Sequence, residues 1–460
     1  MPEELKILSA SCFGYGVGGD SWERGLSWDP DVIVAQGTSS DGGPTYLGSD
    51  APLTGFGDVK TDLRTIIVSA KMKGIPFILS AGGPGGGNNE LERSLGFVDE
   101  IAREAGIRLR VAVIPGELDK EYLKRKIRGG AKIRRLVDTG SLSKNLTEED
   151  VDGSERIAAQ MGPEPVMKAL DLDVDGVITG RSLDVGLYMA LPLKRGFDKA
   201  LTAHLAKSIE CSGVVTVPQS FEAVFGILRK DHFLVRPTNP AARCTVVSIA
   251  AHAFYERPDP NHEENPGGAL DITGATYQQL DESTVKVTGS RWVPAPYTLK
   301  VEGARKVGYR TISICGIREE PLISCIDWFL EQSRSHAEKG LLPLRPDDDY
   351  HLLFRVYGKD GVLGDAEPVK KTRSHELGLI IDAVAREEEV ADKVCGAVAG
   401  FVLHADFPGR LTTAANVAFP YSPTEHRLGP VYVYNIWHLL ELDDPCEPFH
   451  ISVRDFPVKR

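Results

Sequence analysis

Four charged side chains in the N-terminal half have types and positions suited to acid–base chemistry. Asp41 lies in a Gly/Ser-rich loop, Glu117 directly follows an apolar run, and Arg181 and Asp184 follow a later apolar run. Two carboxylates whose surroundings separate their pKa values can act as acid and base in one reaction. Asp41, Glu117 and Asp184 are therefore the candidate catalytic residues, and Arg181 is a candidate ligand for a substrate carboxylate or phosphate.

Each of these assignments has a structural alternative. Arg181 could instead form an ion pair with Asp184, which follows it by about one helical turn. Asp41 could cap a helix or stabilise a turn, or it could bind a divalent cation. Glu117 could be an acidic residue that interacts with a helix N-terminus. The sequence leaves these alternatives open.

The apolar runs end in glycine-rich turns that could hold a substrate. Glycine lets the backbone approach a ligand, and the following helix N-terminus favours an anion. Ligands of open parallel sheets bind just beyond the carboxyl ends of the strands. The candidate substrate-binding residues all lie in these turns, and they are Gly14, Gly16, Gly18, Gly19, Ser39, Ser40, Gly82, Gly83, Gly85, Gly86, Thr179, Gly180 and Arg181.

The first turn also has the G-x-G-x-x-G spacing of a dinucleotide-binding loop, through Gly14, Gly16 and Gly19. A nicotinamide site requires an acidic residue at the end of the second strand, for the ribose hydroxyls. Gln36 stands there instead. We therefore do not expect NAD(P) or FAD, and an oxidoreductase that uses this loop is only an alternative.

Buried strands and helical segments alternate in the first half of the chain. Residues 6–11, 31–36, 75–81, 107–115 and 173–180 are apolar and rich in β-branched residues. This pattern is typical of parallel strands buried on both faces. We therefore predict an α/β fold with a doubly wound, mostly parallel sheet in the N-terminal lobe.

The residue pattern changes after about residue 215. Residues 215–340 contain alternating, strand-type segments with glycine at the turns, which predicts a mixed β-rich insertion. A Pro- and Asp-rich connector at 340–350 marks the predicted domain boundary. The predicted domains are 1–345, an α/β domain that includes the insertion, and 346–460, a smaller C-terminal α+β domain.

Composition excludes several classes of protein. The chain has 53 basic and 65 acidic residues and a net charge of −12, so we expect no nucleic-acid partner. No stretch approaches the roughly 18 consecutive apolar residues of a membrane helix, so we expect no membrane partner. The seven cysteines include no C-x-x-C pair, which favours a reducing, cytoplasmic location over a disulfide framework or zinc knuckle.

Several segments together resemble the acyclic terpene utilisation (AtuA-like) family, in its long form with a fused C-terminal domain. The resemblance is carried by "SASCFGYGVGGD", "GTSSDGGPTYLGS", "AGGPGGGNN" and "DGVITGRSLDVGLYMA", with "HADFPGRLTTAANVAFPYSP" near the C-terminus. Gln36 departs from the family pattern, in which an acid precedes the second loop. The resemblance implies a cytoplasmic, catabolic protein that acts on a small-molecule carboxylate or acyl-CoA.

These observations lead to one expected function and two alternatives. We expect a catabolic enzyme for a branched or unsaturated carboxylate or its acyl-CoA, which works by hydratase, dehydratase or lyase chemistry. A non-catalytic ligand-binding subunit of a catabolic complex is the first alternative, and the nucleotide-dependent oxidoreductase is the second. A divalent metal ion could assist, and we expect a homo-oligomer.

Overall fold

The computed structural model describes residues 3–10, 12–51, 56–137, 142–411 and 413–457, without the side chains of residues 56–58. Through residue 137 the elements are β1 (Glu4–Ser9), α1 (Gly19–Leu26), β2 (Val32–Ala35), α2 (Pro44–Ser49), α3 (Phe56–Lys73), β3 (Phe77–Ser80), α4 (Asn88–Ala105), β4 (Leu109–Ile114), α5 (Lys120–Arg128) and β5 (Ile133–Arg135). The next elements are α6 (Glu148–Gly153), β6 (Arg156–Ala159), α7 (Pro163–Ala169), β7 (Gly176–Thr179), α8 (Asp184–Lys194), α9 (Lys199–Ile209), a 3₁₀ turn (Ser212–Val215), β8 (Thr216–Val217), β9 (Val224–Arg229), β10 (Phe233–Pro237), β11 (Arg243–Cys244) and α10 (Val246–Phe254).

The remaining elements are mostly strands at first and then alternate with helices. They are β12 (His262–Asn265), β13 (Gly268–Asp271), β14 (Thr276–Gln279), β15 (Val285–Thr288), β16 (Arg291–Pro294), β17 (Thr298–Ile317), α11 (Glu320–Ser324), α12 (Ile326–Leu341), β18 (Tyr350–Tyr357), a 3₁₀ turn (Gly364–Ala366), β19 (Leu377–Ala385), α13 (Glu388–His404), β20 (Glu425–Glu441) and β21 (Ser452–Phe456). The chain is therefore of the mixed α/β class, as predicted.

The chain forms two compact units. The first unit consists of Met1–Arg305 with Tyr434–Arg460, and the second unit is Lys306–Val433. The domain boundary predicted between residues 345 and 346 stays a prediction. In the described parts of the chain, no helix is long and apolar enough to cross a membrane.

The main sheet of the first unit has the strand order β14-β15-β10-β9-β1-β2-β3-β7-β4-β21. The five strands from β1 to β4 in that order are parallel to their neighbours. These strands lie within the five apolar runs identified in the sequence. Ser11, the last residue of the first run, lies outside the described residues. The flanking strands are antiparallel, so the prediction of a mostly parallel sheet holds for the centre alone. Part of the predicted β-rich segment extends this sheet, where β9 pairs with β1 and covers its edge.

Successive side chains of the central strands enter two separate cores, because a strand alternates its side chains between the two faces of a sheet. Val32 and Val34 pack into one core, and Ile33 and Ala35 pack into the other. Helices α7, α8 and α9 contribute to the first core, whereas α1, α3 and α4 contribute to the second. Burial on both faces explains why these strands read as continuous apolar runs.

The second unit combines antiparallel strands with two long helices. The part of β17 from Tyr309 to Ile317 pairs with β19, which also pairs with β18. Helices α12 and α13 pack their apolar faces into one core with these strands. An apolar helix stripe over a sheet of alternating residues is the usual way to bury such a surface.

His204 is fully buried in α9, where it is a structural residue of the core. Its Nδ1 lies 2.8 Å from Ser290 Oγ, and its Nε2 lies 3.1 Å from Tyr277 Oη. Burial, with a smaller contribution from Arg257, lowers the pKa of His204 to about 3. The ring is therefore neutral at physiological pH.

We predict that His204 makes folding sensitive to mild acid. A lowered folded-state pKa gives stability that is present above the ordinary value near 6.5 and is lost as the pH falls toward 3. Between pH 6.5 and pH 5 the wild type should lose about 2 kcal/mol relative to His204→Phe, whatever their difference at pH 7. Urea unfolding across this range measures the effect, and the exposed His375→Phe variant is the control. Parallel pH profiles for wild type and His204→Phe would contradict the prediction.

Candidate active site

Arg181 lies where three strand-end turns converge, directly after β7 and Gly180. Its backbone N–H donates to Gly86 O at 2.9 Å, which ties the turn after β3 to the turn after β7. A Cβ atom on Gly86 would lie 2.6 Å from Arg181 N, and one on Gly116 would also collide with the Arg181 backbone. Glycine at these positions therefore permits the turns to pack directly against each other.

The Arg181 guanidinium is buried, with 2% of its side chain exposed, and it binds two carboxylates. Its Nε lies 3.1 Å from Glu302 Oε2, and its Nη1 lies 3.3 Å from Asp184 Oδ1. Nη1 also donates to Ser182 O at 2.7 Å and Thr38 O at 3.3 Å. The ion pair between Arg181 and Asp184, one of the two sequence interpretations, is present.

Glu302 reaches Arg181 because β17 pairs with β6 in antiparallel register, with Glu302 opposite Ala158. Its Oε1 accepts from Gln160 Nε2 at 2.7 Å and lies 3.1 Å from Lys300 Nζ. Burial acts to raise the pKa of Glu302, but the two neighbouring cations outweigh it and hold that pKa below its ordinary value. Glu302 is therefore a permanent counter-ion of Arg181.

Asp184 is the most accessible carboxylate of this group. Its side chain is 33% exposed, against 3% for that of Glu302. Partial burial raises the pKa of Asp184 and outweighs the opposing effect of Arg181, and the charge of Asp41 adds a smaller rise. Asp184 is thus a carboxylate with an elevated pKa that solvent and a small ligand can reach.

A second buried contact between ionisable side chains lies near Asp184, in and just after α9. Lys207 Nζ contacts Glu210 Oε1 at 2.5 Å, and both side chains are less than one-tenth exposed. Burial and the charge of Asp184 raise the pKa of Glu210 to about 8 against the influence of Lys207. We name Arg181, Asp184, Lys207, Glu210 and Glu302 together the charge cluster.

Cys12 and Gln36 extend the cluster toward the first two strands. Gln36 Nε2 lies 3.8 Å from Cys12 Sγ, and burial raises the pKa of that thiol to about 11. Gln36 Oε1 is buried without a hydrogen-bond partner among the described residues. Gln36 therefore supplies an unsatisfied acceptor at the position where a dinucleotide site would have an acid.

Three possible metal ligands approach each other on the far side of Glu210. One ligand atom each from Glu210, Cys211 and His252 lies within 4.8 Å of the other two. His252 Nε2 is buried without a hydrogen-bond partner in the described ranges. However, the ammonium of Lys207 contacts Glu210, so a divalent cation there would be repelled by a fixed positive charge.

Asp41, one of the predicted catalytic residues, lies near the charge cluster on the exposed loop after β2. Its backbone N–H donates a hydrogen bond to Ser39 Oγ of the same loop at 3.1 Å. Ser40 O accepts from Gly43 N at 3.0 Å and shapes the same loop. The charge of Asp41 contributes only weakly to the raised pKa of Asp184, and among the described contacts none joins the two carboxylates.

Glu117, the third predicted catalytic residue, interacts with a helix end. Its Oε2 accepts a hydrogen bond from Asn88 N at 2.9 Å, in the first turn of α4. This is the helix-terminal interaction that the sequence left open as an alternative. Among the described contacts, none joins Glu117 to Asp41 or Asp184.

The Gly14–Gly19 loop binds a carboxylate of the protein itself. Asp62, which is buried in α3, accepts from Gly14 N at 2.8 Å and from Val17 N at 2.7 Å. Gly14, Gly16, Gly18 and Gly19 have φ values between 74° and 149°, which side-chain-bearing residues rarely adopt. The G-x-G-x-x-G spacing therefore serves a tight turn around Asp62.

The turn after β3, with Gly82, Gly83, Gly85 and Gly86, is built in the same way. Gly86 N donates to the Glu90 carboxylate, and Gly82 N donates to Ser94 Oγ at 2.9 Å. Burial raises the pKa of Glu90 to about 7 despite the bond from Gly86. In the neighbouring turn, Thr179 O accepts from Ala81 N at 2.7 Å. Internal groups thus occupy several of the donors expected for a substrate.

Sequence reasoning did not identify Glu302, Lys300 or Lys207. Glu302 lies 121 residues from Arg181, and no spacing rule connects the two. Lys207 and Glu210 are three residues apart at the end of α9, so their contact could have been found from helical spacing.

We predict that Asp62 stabilises the first loop without any ligand. Asp62→Ala would leave two largely buried N–H groups without acceptors, at a cost of about 2–4 kcal/mol in the free energy of unfolding. Urea unfolding of the variant measures this loss. The exposed Asp173→Ala variant is the control, and it should change stability by less than about 0.5 kcal/mol. An Asp62→Ala protein as stable as the wild type would contradict this interpretation of the loop.

Comparison with known proteins identifies the family. The family model described as acyclic terpene utilisation family protein AtuA matches residues 54–221 and 229–424. The chain has no significant match among curated proteins or among solved structures. The match spans most of the chain and includes the segments "AGGPGGGNN" and "DGVITGRSLDVGLYMA", whereas the first two strand-end loops lie before residue 54 and outside it. The chain belongs to the acyclic terpene utilisation family AtuA, and it is thereby a terpene-utilisation-related protein.

Proposed function

We propose that the protein is an enzyme that transfers protons to and from a branched or unsaturated carboxylate or its acyl-CoA. The observation that carries this proposal is the accessible Asp184 carboxylate, which has an elevated pKa and is bonded to the buried Arg181. A general base works best when its pKa lies near the operating pH. Membership of the AtuA family supports a substrate from acyclic terpene breakdown.

Asp184 acts as the base in this proposal, and Arg181 orients it. The described hydrogen bonds of Arg181 use Nε and Nη1, which leaves Nη2 for a carboxyl or thioester oxygen of the substrate. A cation at that oxygen stabilises the negative charge that develops when a neighbouring carbon loses its proton. Glu302 keeps Arg181 fixed and compensates its charge.

Glu210 supplies the second proton-transfer group. Burial raises its pKa to about 8 against the influence of Lys207, and in this proposal Glu210 is protonated when the substrate binds. In a dehydration, Asp184 takes the proton from carbon, the carbon–oxygen bond breaks, and the hydroxyl leaves as water with the proton from Glu210. Hydration is the reverse. Asp41 contributes negative charge near Asp184, and an acid role for Glu117 stays a prediction.

The sheet type, the domain boundary, the location and the oligomeric state are also proposals. We propose that the N-terminal lobe is a doubly wound sheet, that a domain boundary lies near residue 345, and that the protein is a cytoplasmic homo-oligomer. The proposal requires neither a dinucleotide nor a metal ion. The occupied Gly14–Gly19 loop supports the view that NAD(P) and FAD are not cofactors.

Proton transfer can be tested before the full reaction is known. We expect the purified protein to catalyse deuterium incorporation from D₂O next to the carbonyl carbon of branched unsaturated acids or their CoA thioesters, measured by NMR. Asp184→Asn should reduce this exchange by about 10²–10⁴-fold, because the amide cannot accept the proton. In the wild type, the exchange rate should rise with pH through the elevated pKa of Asp184.

The exposed Asp173→Asn variant is the matched control and should exchange at the wild-type rate. Thermal shift with the same compounds separates binding from chemistry, since a ligand at 100 times its dissociation constant adds about 2.7 kcal/mol of stability. Binding without exchange in the wild type would overturn the proposed enzyme in favour of a ligand-binding subunit. Equal exchange by Asp184→Asn and wild type would exclude Asp184 as the base.

A further inference from the structure

The first unit contains a cavity of about 380 Å³ beside the charge cluster. This volume lies in the range of small-molecule sites. Leu136, Leu183, Val293 and Leu439 form part of a mainly apolar wall. Leu183 directly precedes Asp184 in the sequence, although Asp184 itself is not part of the cavity wall.

The polar residues of the cavity wall include Lys300, Gln160 and Asn265. Lys300 and Gln160 both contact Glu302 Oε1, which places them next to the charge cluster. Asn265 is 8% exposed, and its Oδ1 is buried without a hydrogen-bond partner among the described residues. A buried acceptor without a donor is unfavourable unless a ligand or water supplies one.

The other charged side chains of the wall have partners of their own. Arg134 Nη2 lies 3.4 Å from Glu264, and Glu441 lies 3.0 Å from Lys132. The ammonium of Lys300 lies over the ring of Trp437 at 3.7 Å and shares its carboxylate partner with Arg181. Lys300 is therefore the cation best placed to receive a further oxygen ligand from within the cavity.

We infer that this cavity binds an aliphatic hydroxy acid, with the hydrocarbon chain against the apolar wall and the polar end at Lys300 and Asn265. The carboxylate accepts from Lys300 Nζ, and the hydroxyl donates to Asn265 Oδ1. A hydroxy acid is also what hydration of an unsaturated acid yields. The inference deepens the proposed function and rests on it for the reaction, whereas binding itself is independent of catalysis.

The apolar wall predicts a dependence of affinity on chain length. Each additional buried methylene should lower the dissociation constant about fourfold, until the cavity is full. Isothermal titration calorimetry with 3-hydroxyhexanoate, 3-hydroxyoctanoate and 3-hydroxydecanoate measures this series. Affinities that do not change with chain length, or no binding of any member, would overturn the inference.

Two variants test the two parts of the cavity separately. Ala295 lies on the exposed side of the wall, so Ala295→Trp should fold normally and weaken 3-hydroxyoctanoate binding by at least tenfold. Ala241→Trp, at an exposed alanine outside the cavity, is its control. Asn265→Leu should abolish the preference for 3-hydroxyoctanoate over octanoate while octanoate binding persists. An unchanged preference in Asn265→Leu, or equal binding in both tryptophan variants, would refute the assignment.

Binding and catalysis fail in distinguishable ways. Chain-length-dependent binding without deuterium exchange would retain the cavity assignment and remove the proposed enzyme. Deuterium exchange that survives in Ala295→Trp, with no titratable binding of the hydroxy acids in the wild type, would retain the enzyme and remove the cavity assignment.

Discussion

The buried ion pair between Arg181 and Glu302 is the interaction on which the candidate site depends. The Arg181 backbone contacts two glycine turns directly. Its guanidinium is buried, so it would be strongly destabilising without a counter-ion. Glu302 compensates it from a distant strand, and Lys300 in turn compensates Glu302. The alternating charges leave Asp184 as the terminal, accessible member of the series.

Packing within the protein accounts for several of the glycines in the strand-end turns. Gly86 and Gly116 are required because the Arg181 backbone occupies the space that a side chain would need. The first loop closes around Asp62, and the turn after β3 contacts Glu90. Backbone donors at strand ends can therefore be satisfied from within the protein, and a glycine-rich motif alone does not identify a ligand.

Sequence patterns predicted the parts of the fold that depend on local burial. The runs that became β2, β3 and β7 are apolar because both of their faces are covered, and this signal is visible in a single segment. The position of Arg181 after a strand also placed it at the site. Glu302 could not be predicted, because its partner depends on the register between β17 and β6 and on long-range chain topology. The antiparallel extension of the sheet by β9 and its neighbours was missed for the same reason.

A double-mutant cycle on Arg181 and Glu302 tests the central claim most directly. Arg181→Met and Glu302→Gln each remove one member of the pair and leave the other with one remaining counter-ion, and each should cost about 3–5 kcal/mol in the free energy of unfolding. The double variant should be destabilised by less than the sum of the two, by at least about 1 kcal/mol, because the second substitution removes the group that lost its main partner in the first. Urea unfolding of the four proteins gives this coupling energy. Strictly additive losses, or single variants as stable as the wild type, would contradict the account.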